Sequence, residues 1–459
     1  MTRTNLIGPW GIAAAAVALM AIAPGAQAPQ SQQPPQQAGA VSLTITGESG
    51  ALPRYAVPDF IPLSADAETV AAARTIGEVL FADLAFEREF DMIPRDTYAS
   101  IPAARSLSAI PFDRWRELGA DGLVIGTVQK QGDSFRVDVR LFGVKERQSA
   151  FGREYVSPAA NPRFVAHTAS DEIFQSQLAL RGVARTKIAF VSDRVGERLT
   201  GTVESRVVKE VYICDYDGEN QRRLTVNRTL NINPTWLPDG RSIAYTSYQR
   251  GVPDIFIANI YQGTAPENPL HSRGEENFLP VWSPDGTKIA FQSNRDGHAE
   301  IYVMNRDGSA IRRITNNPAN DGTPTWSPTG RQIAFTSDRS GAPQIYVVDA
   351  DGLNLRLLTH ESYCDRPTWS PAPYNEIAYA SRTGPGFDLK VLDLASGETR
   401  QLTFGEGSNE SPAYAANGRH LVFSSTRSGR RQLYTIDRTG KDVRQLTRTG
   451  NNQTPDWSK

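Results

Sequence analysis

From residue 187 to the end of the chain, short apolar bursts recur between polar turns. IAFVS (188–192), IAYTS (243–247), IAFQS (289–293), IAFTS (333–337), IAYAS (377–381) and LVFSS (421–425) each mark one copy. A second mark is an aromatic anchor: Trp236, Trp282, Trp326, Trp369, Tyr414 and Trp457 stand 43 to 46 residues apart. Within a copy the apolar runs are four to six residues long, the length of strands rather than helices. One copy reads as a PxW strand, a turn such as Pro284-Asp285-Gly286, an IAF strand, a polar loop, a third strand such as EIYVM (300–304), an Asp-Gly turn and a short fourth strand. Four strands at a fixed period, with no helical pattern between them, predict one propeller blade per copy.

The first copy begins at its second strand, and the last residues, TPDWSK, supply a first strand with nothing after it. Each fragment is what the other lacks. The pattern therefore predicts a six-bladed ring over 187–459 in which the C-terminal strand completes the blade begun at Lys187. Closure removes the open sheet edge. The first copy is longer, with 196–205 as a loop insertion. In such a ring the loops between strands two and three share one face with those between strands four and one. The tight hairpins share the other. Cys214 and Cys364 then fall on opposite faces, too far apart for a disulfide.

Residues 41–180 carry a different pattern. Alternation in 41–46 and 55–60 suggests strands. Residues 67–85 place Val70, Ala73, Leu80 and Leu84 on one helical face, and 112–118 suggests a short helix. Residues 122–129 and 134–144 read as a hairpin around Gly132-Asp133, with Phe135, Val137, Val139 and Leu141 alternating with polar residues. Residues 161–178 read as another helix. Helices interleaved with strands predict an α/β amino-terminal domain followed by the all-β propeller.

Before this lies a segment with the marks of export: Arg3, the apolar run 11–23 and Ala26-Gln27-Ala28. It reads as a signal peptide over 1–28, and the Gln- and Pro-rich 29–40 reads as an extended tether. The net charge of -1 excludes a global basic field for nucleic acid.

Composition and spacing offer little catalytic chemistry. There is no GxSxG, HExxH or phosphate loop. The five histidines are scattered. His167 and Asp171 read as an i,i+4 surface pair rather than part of a triad. His360 and Cys364 share a loop but supply too few ligands for zinc. The DYDG at 215–218 and DADG at 349–352 read as hairpin turns rather than calcium loops. No cofactor or metal is expected.

The repeats TWSPTGRQIAFTSD (325–338) and EIYVMNRDG (300–308), with LGADGLVIGTV (118–128), VAHTASDEIF (165–174) and TKIAFVSDR (186–194), resemble the TolB family of the Tol-Pal cell-envelope system. The resemblance runs through nearly the whole chain after the leader and includes the junction between its two parts. It implies a periplasmic, monomeric, non-enzymatic adaptor, peripheral to membranes. The implied partners are Pal, an outer-membrane lipoprotein bound by the propeller, and TolA, an inner-membrane protein bound by the N-terminal segment. The implied role is outer-membrane integrity and constriction at division.

Three sets of residues are candidates for that role. Val41, Leu43 and Ile45 alternate in the N-terminal strand. Asn231, Asn277, Phe278, Asp321, Asp365, Asn409, Glu410 and Asn452 lie five or four positions before the aromatic anchors, in the loops between blades. Arg250, Arg295 and Arg339, with Arg194, Arg382 and Arg427, follow the second strands on the same face. Together the last two sets predict a polar mouth suited to a protein surface. The alternative is an enzyme acting on envelope glycans with Asp321, Asp365 and Glu410 as pore-facing acids.

Overall fold

Alternation builds the amino-terminal region. The computed structural model describes residues 44–47, 50–198, 207–262, 265–272 and 274–459. Its sheet runs in the order β3 (Asp91–Met92), β1 (Arg54–Ala56), β4 (Gly122–Gln131), β5 (Ser134–Gly143), β6 (Gln148–Pro158), with β2 (Ile61–Pro62) also pairing β4. Phe135, Val137, Val139 and Leu141 of β5 point one way, into a core with α1 (Ala67–Glu87) and α3 (Arg163–Leu178). Leu123 and Ile125 of β4 point the other way, against Trp115 of α2 (Phe112–Glu117). Asp66 caps α1 by accepting from the Thr69 amide at 2.9 Å.

Several sequence expectations change here. Val70 is 45% exposed. The buried stripe of α1 is instead Thr69, Ala72, Ala73, Ile76, Leu80 and Leu84, because the helix packs small residues closely against α3 and β4. β6, which carried no sequence expectation, has no clear alternation, since it is the outer strand of its sheet. Val41 and Leu43 lie outside the described residues, and Thr44–Thr46 is not a strand. Ile45 is buried in the α1–α3 core, its amide donating to Gln177 Oε1 at 3.0 Å. His167 is not at the surface.

The propeller has six sheets. Its closing strand Asn452–Trp457 pairs antiparallel with Lys187–Ser192, placing Asn452 opposite Ser192 and Trp457 opposite Ile188. Sequence order thus ends inside the blade where the propeller began. The Trp236 blade has three regular strands. Glu267 stands in for the fourth by exchanging two 2.8 Å backbone bonds with Ile257. Most of the insertion at 196–205 lies outside the described residues, between the bridged pair Arg198 and Val207.

One irregularity repeats six times. Asn233, Leu279, Thr323, Arg366, Ser411 and Thr454 all have φ between 45 and 54°, and each precedes the proline of its PxW strand. This left-handed conformation is unfavourable for non-glycine residues by about 1 kcal/mol or more. It breaks the pairing register at each first strand and bends the strand where the six approach the axis.

Candidate partner-binding face

The two predicted loop sets do share one face. Asn451 donates to Asp193 at 2.7 Å, Asn320 to Asp338 at 3.1 Å and Asn294 to Glu276 at 2.9 Å. Each bond joins a loop between blades to a loop between strands two and three.

Inside this rim, the arginines that follow second strands mostly turn inward. Arg339 Cζ lies 5.5 Å from the Phe335 ring centre and 5.0 Å from that of Tyr346. Its Nε donates to Ser337 Oγ at 2.8 Å, and Nη2 pairs with Asp321 at 2.6 Å. Arg295 repeats this on Phe291, Tyr302, Ser293 and Asn277. Arg427 repeats it on Phe423, Tyr434, Ser425 and Asn409. Arg194 does so on Phe190, Tyr212, Ser192 and Asn452. The short amide or carboxylate that begins strand one is the acceptor for the neighbouring strand's guanidinium.

This corrects part of the predicted mouth. Asn231, Asn277, Asp321, Asn409 and Asn452 are buried at 0–1% exposure. They close hydrogen bonds within the propeller and present nothing to a partner. Asn231 donates to Glu210 and Asn277 to Asp254. Arg295 and Arg339 are half-buried in the same ties, while Arg250 is exposed and donates to Asn268 at 2.9 Å. Sequence spacing located the face but not side-chain direction, because the first residue of each strand already points into the sheet.

Phe278, Asp365 and Glu410 remain half-buried at the mouth. Phe278 lies beside Tyr248, ring centres 6.4 Å apart. Asp365 accepts from Thr336 Oγ1 at 3.0 Å. Glu410 pairs with Arg431 at 3.0 Å. Burial alone would raise the Glu410 pKa, but the bonds from Arg431 and Ser408 outweigh it and hold the carboxyl below its usual value. A glycan hydrolase needs one carboxyl raised to act as an acid, and Glu410 is shifted the other way. Asp321 is raised by burial but is sequestered with Arg339.

Below the mouth, the six bulged strands line an axial channel of about 130 Å³. It is collared by prolines, including Pro234, Pro324 and Pro412. Arg366 and Asp456 carry charge there. Asp456 accepts from the Trp236 amide at 2.6 Å, tying the closing strand to the next blade. Burial raises its carboxyl to about 6.

The hairpin face is differently used. Arg88 pairs with Asp437 at 2.5 Å and Asp442 at 2.9 Å, and Arg163 pairs with Asp217. Glu87, buried in α1, takes Arg419 at 2.7 Å and the Val183 amide at 2.8 Å. Phe86 stacks on His420 at 4.2 Å. His167 Nδ1 donates to the Asp83 carboxylate at 2.9 Å, and Asp83 also accepts from Tyr216 at 2.7 Å. The sequence pairing of His167 with Asp171 fails because Asp171 accepts from the amides of Ala184 and Arg185 instead. The DYDG and DADG segments are tight turns, as read: Gly218 and Gly352 have φ of 88 and 89°. Cys214 and Cys364 are buried free thiols.

Residues 174–459 match the family model described as the TolB beta propeller domain. Residues 41–150 match the TolB amino-terminal domain. The chain belongs to the TolB family. It is 33% identical over 207 residues to a Tol-Pal system protein TolB of Desulfosudis oleivorans, covering 45% of each chain. It is 35% identical over 272 residues to the TolB of Anaeromyxobacter dehalogenans strain 2CP-C, covering 58% of this chain and 59% of that one. The matched stretches thus span about half the length of these curated relatives. The crystal structure of TolB from Acinetobacter baumannii superposes with a TM-score of 0.71 over 89% of this chain and 97% of that chain, at 24% identity. That likeness establishes a shared TolB fold, an α/β region followed by a six-bladed propeller.

Proposed function

We propose that this TolB-family chain is a non-enzymatic periplasmic adaptor of the Tol-Pal system. Its loop-bearing propeller face binds a Pal-like outer-membrane lipoprotein. Its N-terminal segment, with Val41 and Leu43 but without the buried Ile45, binds a TolA-like inner-membrane protein. The adaptor supports outer-membrane integrity and constriction at division.

The observation that carries this reading is the asymmetry of the two faces. Among the described residues, the hydrogen bonds and ion pairs from the amino-terminal region fall on the hairpin side. The opposite side keeps its loops, a half-buried aromatic and charged rim, and the channel opening. A polar, partly aromatic rim around a concavity suits a protein surface.

The test is a calorimetric titration of the purified chain with the soluble domain of the Pal-like lipoprotein from the same cell. Saturable one-to-one binding supports the reading, and no heat at high concentration refutes it. The glycan-enzyme alternative requires turnover of envelope glycans that disappears in Asp365→Asn and Glu410→Gln variants.

A further inference from the structure

Five blades keep the arginine after strand two in a tie, and the Trp369 blade does not. In four blades that arginine stacks on a Phe–Tyr pair, bonds a serine and reaches the Asn or Asp that opens strand one. In the Trp236 blade it stacks on Phe256 and bonds Asn268.

The Trp369 blade has different residues at each of these places. Cys364 opens its first strand, and Lys390 stands opposite Tyr379 where four other blades carry a tyrosine. A thiol is a weak acceptor for a guanidinium. Glu361 takes over the interior instead. It accepts from Ser381 and from Tyr379 at 2.8 Å, and it pairs with Lys390 at 2.6 Å. Ser381, the counterpart of the arginine-holding serines, is therefore already occupied.

Arg382 directly follows Ser381, whereas the four stacked arginines stand two residues after their serines, and this one-residue offset within the strand turns its side chain the other way. Arg382 is exposed, and its Cζ lies 5.2 Å from the Tyr363 ring centre and 5.4 Å from that of Phe387. The two rings meet edge to face at 5.3 Å. Among the described residues neither Arg382 nor Arg366, in the adjoining channel wall, makes an ion pair. Glu361 is neutralised by Lys390 and Glu410 by Arg431. Asp365, beside Tyr363, is half-buried and accepts from Thr336 and the Arg366 amide, so the exposed charge of the patch is the Arg382 guanidinium lying against two rings.

We infer that Arg382, Tyr363 and Phe387 form the anchor on which an acidic segment of the partner protein docks. The inference rests on the reading that the loop face binds the lipoprotein. A guanidinium held between two rings presents its free edge to a carboxylate as a two-pronged donor. The rings offer an apolar flank to the residue beside that carboxylate. Arginine and tyrosine in ordered, partly desolvated patches are the residue types that dominate binding energy at interfaces.

The experiment is the same calorimetric titration with the soluble Pal-like domain, run on wild type and on Arg382→Glu, Arg382→Gln and Tyr363→Ala, with melting temperatures measured alongside. Arg382→Glu is expected to weaken binding by at least about thirtyfold and Arg382→Gln by about tenfold. Melting should stay near wild type, since Arg382 holds no interior tie. The loss should shrink at high salt, as a charge contact requires. If wild type binds and both Arg382 variants bind within about twofold of it, the anchor is wrong while the adaptor reading stands. If wild type does not bind, both fall. Should Arg382→Glu fold poorly, Arg382→Gln decides by the same criterion.

Discussion

His167 Nδ1 lies 2.9 Å from Asp83 Oδ2 in the wall between the α/β region and the propeller. Both side chains belong to the amino-terminal region, on α3 and α1, and Tyr216 of a propeller hairpin donates to the other Asp83 oxygen. Nε2 of the same ring faces Asp215 at 3.9 Å. Lys187 and Arg163 flank the group by pairing with Asp215 and Asp217. Burial disfavours a charged ring, but the Asp83 carboxylate outweighs it and His167 is raised above its ordinary value.

The sign of the pH effect follows. A histidine whose folded pKa is raised stabilises the fold fully below about pH 6.5, and the gain is lost as pH rises through the folded value. Wild type should therefore melt above His167→Gln by the widest margin below pH 6.5. The margin should narrow as the solution becomes alkaline. Melting curves of both proteins from pH 5.5 to 9 check this, and parallel profiles would sink it.

Ring closure is testable by removing the last strand. Without 452–459, Ser192 and its neighbours lose their partner strand, and Asp456 no longer accepts from Trp236. Two sheet edges open. Truncation should lower the melting temperature sharply or cause aggregation. Asp456→Ala should remove only the one bond and cost about 1–2 kcal/mol. A truncated chain that melts like the full one contradicts closure.

The interior ties predict a different kind of loss. Asp321 is fully buried and pairs with the half-buried Arg339. Arg339→Ala leaves a buried carboxylate without its cation and should cost about 3–5 kcal/mol. Arg339→Leu combined with Asp321→Asn should recover part of that, because no unpaired charge remains. Urea unfolding of the single and double variants measures it. Equal stability of Arg339→Ala and wild type would show that the pair is not needed.

Much of this was readable before the structure. The period of the aromatic anchors and the split first and last copies specified the six-bladed ring, because four short strands per period leave few other ways to bury both faces of each sheet. The hairpin of β4 and β5 was readable from alternation around Gly132. The site was readable only to the level of its face. Asn277 and Asp321 are polar, so spacing alone suggested exposure, yet their acceptors are consumed by Arg295 and Arg339. His167 looked like a surface residue because Asp83, its partner, is 84 positions away. Arg382 looked like its five counterparts. It stands one residue nearer its serine than Arg194, Arg295, Arg339 and Arg427 do, and Glu361 and Lys390 fill the interior of its blade instead.

The face assignment is the centre of this account. Photo-crosslinking amino acids at Ser340 and Ser362, exposed in the loop face, can be compared with the same residues at Asp307 and Asp351, exposed in hairpins of the opposite face. These four sites avoid the interior ties and the contacts of the amino-terminal region. Illumination of intact cells should join Ser340 and Ser362 variants to a Pal-like lipoprotein and leave the hairpin variants free of it. Crosslinks to that lipoprotein from Asp307 and Asp351, and none from Ser340 and Ser362, would place the partner on the wrong side of the ring and contradict the account.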